Sequence, residues 1–230
     1  MGIKENFAAV RSAVDEAALR SGRKPEDVTV AAVTKFQSAD RVNEAIAAGA
    51  RVIAENRAQE LAEKYPLIDK PDGLRIHFIG HLQKNKIKYI IDKVDMVQSV
   101  DTVELAQALS SACEKHGREL DVLVQVNIGR EPQKSGFDPS EAVSAALEIA
   151  SITRLRLRGL MAILPLGVEK AEAAKLFSEM CKLFLDIRAK IEDNKYIDIV
   201  SMGMTDDYMW AVENGSTLVR VGRAIFGERN

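Results

Sequence analysis

Three groups of residues in this chain carry reactive or ligand-binding chemistry. The run Val28-Thr-Val-Ala-Ala-Val-Thr-Lys35 is apolar and β-branched until it ends on a primary amine. A lysine there either snorkels its ammonium to water or serves as a reactive amine of lowered pKa. Further on, Ser201-Met-Gly203-Met-Thr205 and Arg220-Val-Gly222-Arg-Ala-Ile-Phe-Gly227 each combine glycine with hydroxyl or cationic side chains. Backbone N–H groups beside such glycines can approach an anion closely. Singly, Gly203 and Gly222 read as turn glycines. Together, with a short helix starting after the second, they read as a phosphate cup.

These groups act jointly only if the fold brings them together. Val28–Lys35, Arg51–Ala54, Leu74–Ile79, Met96–Ser99, Asp121–Val126, Arg156–Met161, Tyr196–Ser201 and Ser216–Val221 have the apolar, β-branched character of buried strands. Between them lie helical patterns. Ala39–Ala48 has Ser38 as its N-cap and Gly49 as its stop, and Arg57–Lys64 and a lysine-rich Asn85–Ile91 follow. Asp101 or Thr102 caps a helix to about His116, and Pro139–Ala150, Glu169–Ile191 and Asp206–Glu213 complete the set. A further helix, Asn6–Arg20, precedes the first strand. Strict alternation of eight strands with helices predicts a parallel (β/α)8 TIM barrel with an extra N-terminal helix, one domain over residues 1–230. The competing open doubly wound sheet lacks its Gly-x-Gly-x-x-Gly after the first strand. In a barrel, the residues that close each strand form the site: Lys35, Glu55-Asn56, His81, Ser99, Asn127, Met161, Ser201–Thr205 and Arg220–Gly222.

Composition narrows the function classes. The chain has 230 residues, 47% hydrophobic and 29% charged, with a formal net charge of −2. That balance supplies no basic field for nucleic acid or an anionic membrane surface. Cys113 and Cys181 lie far apart within helical patterns, which suits a reducing compartment. The first residues show no apolar leader, and no apolar run is long enough to span a bilayer. The expectation is a cytoplasmic protein.

A reactive lysine after strand one and a phosphate cup after strands seven and eight suit a phosphorylated aldehyde spanning the barrel mouth. Pyridoxal 5′-phosphate is the obvious candidate, because it forms a Schiff base with lysine and needs a phosphate anchor. The motifs also carry a family resemblance. Val33-Thr-Lys35, Glu55-Asn56-Arg-Ala-Gln-Glu60, His77-Phe-Ile-Gly-His-Leu-Gln-Lys-Asn-Lys86, Lys134-Ser-Gly136, Gly159-Leu-Met161, Ser201-Met-Gly-Met-Thr-Asp-Asp207 and Gly215–Gly227 occur in order along the whole chain. They resemble the pyridoxal phosphate homeostasis proteins, the YggS/PROSC-type group with an alanine racemase N-terminal-like barrel. Two departures are small: Thr205 stands where serine is common, and Ala54 where glycine often precedes Glu-Asn.

The resemblance implies that Lys35 carries the cofactor as a Schiff base and that Ser201, Gly203, Met204, Thr205 and Gly222 hold its phosphate. It implies Arg220 against the pyridine nitrogen, with Asn56 and Met161 lining the ring. A guanidinium only donates hydrogen bonds, so it disfavours a protonated pyridinium and leaves the cofactor a weak electron sink. The expected function is therefore binding, storage and supply of the vitamin B6 cofactor without turnover. Pyridoxal-phosphate-dependent apo-enzymes are possible recipients, and the chain is expected to be a monomer or weak homodimer. The alternative is a small amino-acid racemase using Lys35 as one base. Against it, the chain stops after the last barrel helix, with no C-terminal β domain to supply a second base. Tyr65, Tyr89, Tyr196 and Tyr208 fall in helices, connections or a strand start. A phosphate-sugar barrel enzyme without the cofactor is the third reading.

Other polar residues read as structural. His77 and His81 sit on a strand and its loop, which does not make a metal pair. Lys84, Lys86 and Lys88 form a solvated basic face. Glu55 is expected to ion-pair with a barrel lysine or arginine, Lys134 is a candidate second amine for the aldehyde, and Asp206-Asp207 suit the first turn of a helix.

Overall fold

The computed structural model describes residues 2–192 and 194–228. Eight parallel strands close on themselves in sequence order: β1 Thr29–Val33, β2 Val52–Glu55, β3 Arg75–Phe78, β4 Met96–Val100, β5 Leu120–Val126, β6 Leu155–Ala162, β7 Ile199–Ser201 and β8 Leu218–Val221. The helices are α1 Ile3–Arg20, α2 Ala39–Ala47, α3 Ala58–Lys64, α4 Val103–Lys115, α5 Ala142–Ala150, α6 Lys170–Lys190, α7 Tyr208–Glu213 and α8 Arg223–Phe226. The expected (β/α)8 barrel with its N-terminal helix is thus the architecture observed. Ser38 caps α2 by accepting the Arg41 N–H, and Thr102 rather than Asp101 caps α4 through the Leu105 N–H.

Side-chain alternation divides each strand between two cores. Ala31, Val33, Val52, Ala54 and Leu218 pack together inside the barrel, as do Met96, Leu123 and Met161. The opposite faces meet the helices: Ile53, Val97, Val122 and Leu160 join one large cluster, and Val30, Ala32, Val219 and Val221 pack against α1. Helix α1 buries Phe7, Val10, Val14, Ala17 and Ala18 against the β1–β8 side. Phe7, Val10 and Val14 are its large side chains at helical spacing, each worth about 1.5–3 kcal/mol when fully buried.

Several sequence-based boundaries shift, among them the start of α1, at Ile3 instead of Asn6, and the end of β1, at Val33 instead of Lys35; four others have a local reason. The expected helix Asn85–Ile91 is a 3-10 segment, Lys84–Tyr89, in which Ile87 is buried; Ile90, just after it, is buried three residues on, a spacing that suits the tighter pitch. Helix α5 starts at Ala142 instead of Pro139, because the Asp138 side chain accepts the Ser140 N–H in a turn. Tyr196 lies in a 3-10 turn ahead of β7, where Arg158 binds the Tyr196 carbonyl and the Asp198 carboxylate. Helix α7 begins at Tyr208, leaving Thr205 and Asp206 in the loop before it.

Candidate functional site

The inner rows of the barrel lead upward to the candidate site. On β1 the row Ala31, Val33 continues to Lys35, which is half-buried in the turn between β1 and α2. On β2 the row Val52, Ala54 continues to Asn56, whose Oδ1 is buried without a hydrogen-bond partner among the described residues. Strand β1 pairs with β8 in the register Ala31↔Arg220 and Ala32↔Val221. Gly222 therefore lies beside Val33, and a Cβ there would sit 3.4 Å from the Val33 Cβ. Lys35 lies two residues beyond Val33, in the turn that follows β1.

The β7 loop is built around Gly203, whose φ of +94° lies in the left-handed region and whose added Cβ would fall 2.5 Å from the Ala211 Cβ. Both conformation and space require glycine there. Gly222 differs: its φ is −116°, which any residue adopts, so its small size matters only as clearance from Val33. Asp206 of the first loop pairs with Arg223 of the second, tying the two together. Among the described residues, the backbone N–H groups of Gly203, Thr205, Gly222 and Arg223 find no protein acceptor. Donors of this kind, in two loops tied by Asp206 and Arg223, are the groups an anion cradle would need.

Two residues of the implied phosphate set are committed elsewhere. The Met204 N–H donates to Asp207 Oδ1 at 2.6 Å, and that carboxyl is pushed up by burial. The Ser201 hydroxyl is fully buried; it donates to Gln98 Oε1 at 2.7 Å and accepts from Arg220 at 2.6 Å. A hydroxyl has one proton to donate, and here it points into the barrel.

That hydroxyl belongs to a chain of interior hydrogen bonds. Arg220 also donates to the Ala162 carbonyl at 2.7 Å. Gln98 holds His77 Nδ1 at 2.8 Å through its amide nitrogen. The donors run one way, from Arg220 through Ser201 and Gln98 to His77. This order requires a neutral His77 whose Nδ1 accepts, and burial indeed draws its pKa from 6.5 to about 3. Burial draws Arg220 down to about 10, with the Asp207 charge opposing, so the guanidinium stays cationic at neutral pH. Only two of its five N–H groups meet these acceptors, and Nε has none among the described residues. Arg220 is thus a fixed cation with donors to spare. A structural ion pair, the simplest alternative for it, is replaced by bonds to a hydroxyl and a carbonyl.

The remaining candidates separate. Met161 is fully buried on the inner row beside Met96 and Leu123, in register with Ser201. Glu55 points to the outer side of the barrel, where it pairs with Lys64 of α3 and accepts from the Thr34 hydroxyl at 2.6 Å. Its partner is a helix lysine instead of a barrel one. Lys134 pairs with Glu131 and donates to the Leu164 carbonyl at 3.2 Å, which occupies the second amine. His77 and His81 diverge: His81 is exposed and meets Asp101 at 3.0 Å. Lys86 and Lys88 lie 5.5 and 5.1 Å from the Tyr89 ring centre. Gln98 escaped the sequence reading, although a glutamine inside the strand Met96-Val-Gln-Ser was a usable signal. Lys64, four residues after Glu60 on a helix, gave a weaker one.

Fold and site define the class of protein: a parallel (β/α)8 barrel with unpartnered N–H groups in the loops after β7 and β8, a lysine in the turn after β1 and a buried donor-only cation on β8. The family model described as "Alanine racemase, N-terminal domain" matches residues 5–230. The chain is 38% identical over 230 residues to the pyridoxal phosphate homeostasis protein of Escherichia coli strain K12, covering 99% of this chain and 97% of that one. Among solved structures, PipY of Synechococcus elongatus PCC7942 with PLP bound superposes with a TM-score of 0.85 at 33% identity, over 98% of this chain and 100% of PipY. An alanine racemase of Clostridium difficile 630, 17% identical with a TM-score of 0.70, shares the fold, and the match covers 57% of its length. The chain belongs to the pyridoxal phosphate homeostasis protein family.

Proposed function

We propose that this chain binds pyridoxal 5′-phosphate at the mouth of the barrel, holds it as a Schiff base on Lys35, and serves its storage and supply without turnover. The observation that carries the reading is that the end of β1, two residues before Lys35, packs against Gly222, which belongs with Gly203 to the two bridged loops of unpartnered N–H groups. The cofactor supplies an aldehyde that condenses with a primary amine, releasing water and leaving a C=N bond. The chain's residues fit that group. Lys35 offers the amine; Gly203, Thr205 and Gly222 offer N–H groups to the phosphate. Asn56 presents an acceptor that is otherwise orphaned. Arg220 has spare donors for a neutral pyridine nitrogen, which leaves the ring a poor electron sink and argues for holding over catalysis. Met161 contributes to the apolar floor beneath. Ser201 and Met204 keep the supporting contacts described above, so the phosphate rests on the other three residues.

Pyridoxal-phosphate-dependent apo-enzymes are the recipients that such a store would serve, and we assign the chain to the cytoplasm as one 1–230 domain, monomeric or weakly dimeric. The deciding experiment is the absorbance spectrum of purified protein mixed with pyridoxal 5′-phosphate, followed by borohydride reduction and peptide mapping. An imine band that disappears on reduction, with the adduct on Lys35, is the expected result. A colourless protein or an adduct elsewhere overturns the reading. Robust turnover of L- or D-amino acids, lost in Lys35→Ala, would replace the carrier role with the racemase one.

A further inference from the structure

The turn that presents Lys35 is gripped from outside the barrel. Lys64, on α3 and almost wholly buried, donates to the Thr34 carbonyl at 2.9 Å and the Gln37 carbonyl at 3.1 Å. The same ammonium meets Glu55 and, at 2.9 Å, Glu60. Glu60 Oε1 also accepts the Phe36 N–H at 2.5 Å. Phe36 itself has φ +63°, a left-handed backbone for a bulky residue, and the Arg57 guanidinium lies 4.5 Å from its ring centre. Residues 34, 36 and 37 are therefore all tied to the outer layer, on both sides of the amine-bearing residue.

A buried ammonium is costly unless it is paired and hydrogen-bonded, and this one has two carboxylates and two carbonyls around it. A plain ion pair between strand and helix would need neither backbone carbonyl. We propose that Lys64 and Glu60 are positioning residues for Lys35. They hold the Thr34–Gln37 turn in its strained form, so that the Lys35 amine enters the barrel mouth at one angle and captures the aldehyde in one orientation. The proposal rests on the assignment of Lys35 above. Without these ties a non-glycine residue leaves the left-handed region readily, and the presenting form of the turn falls to roughly a tenth of the population. Capture should slow by about that factor.

The test uses the full chain freed of cofactor, with wild type, Lys64→Met and Glu60→Ala mixed with pyridoxal 5′-phosphate. Three quantities are followed: the rate at which the imine band grows, the site of the borohydride-trapped adduct, and the induced circular dichroism of the band at equal occupancy. Both variants should remain folded by far-ultraviolet circular dichroism and still trap at Lys35. Capture should be roughly tenfold slower, with a weaker induced signal, because a loosened turn no longer fixes the chromophore. Rates and induced signals equal to wild type in both variants overturn the proposal. If Lys64→Met fails to fold, Glu60→Ala decides alone, since its carboxylate is partly exposed and only the Phe36 and Lys64 contacts are lost. A wild-type chain that forms no adduct at Lys35 refutes the Lys35 assignment first, and the positioning role with it.

Discussion

Acidification should weaken this fold in part through His77, which its surroundings keep neutral. His77 is buried, its Nδ1 meets the Gln98 amide, and burial draws its pKa from 6.5 to about 3. A base whose folded pKa lies below its unfolded one stabilises the native state fully above about pH 6.5 and loses that contribution as pH falls towards 3. Between about pH 7 and pH 5 the unfolded chain takes up a proton that the native chain refuses. The linkage relation then gives a loss of about 2 kcal/mol. Because the native value lies well below pH 5, this figure is governed by the ordinary histidine pKa and hardly by the depth of the shift. Urea denaturation of wild type and His77→Gln at the two pH values measures it. The glutamine can still accept from Gln98 but does not titrate, so its stability should fall by about 2 kcal/mol less than that of wild type. Other titrating groups are common to both proteins and cancel. Equal losses in the two would mean that His77 is not held neutral, and the one-way order of the Arg220–Ser201–Gln98–His77 bonds would fall with it.

Three further substitutions probe the mouth of the barrel. Ser201→Ala removes the hydroxyl that links Arg220 to Gln98 and should cost about 1–3 kcal/mol while leaving the affinity for pyridoxal phosphate within about threefold; a large loss of affinity in dialysis would return Ser201 to the phosphate site. Gly203→Val places a branched side chain at positive φ and against Ala211, so both stability and cofactor retention should drop, by roughly 1–3 kcal/mol of strain in urea titration; unchanged retention would count against the cradle. Arg220→Ala should still trap cofactor on Lys35, since the guanidinium is assigned to the pyridine nitrogen and not to the aldehyde; a folded variant that binds none would refute that assignment.

The alternation of β-branched runs with amphipathic helices was enough to specify the barrel, because both periods follow from local backbone geometry and recur eight times along the chain. Sequence also placed Lys35, Asn56, Gly203, Arg220 and Gly222 at strand ends, where a parallel barrel must gather its loops. What it left open was how each side chain spends its hydrogen bonds. A serine and a methionine N–H in a glycine loop look like phosphate donors, yet Ser201 and Met204 satisfy Gln98 and Asp207 instead. Their partners are distant in sequence or decided by the turn of one loop, and no spacing rule encodes either. The same holds for the Lys35 amine. Strand pattern put Lys35 at the end of β1, whereas the structure ends β1 at Val33 and leaves Lys35 in the turn beyond; only the closed barrel sets Val33 beside Gly222, through the β1–β8 register. Only the packed outer layer brings Lys64 and Glu60 onto the Lys35 turn. Periodicity fixes which face a residue occupies; burial then forces each polar group on that face to find whichever partner the tertiary fold has placed within reach.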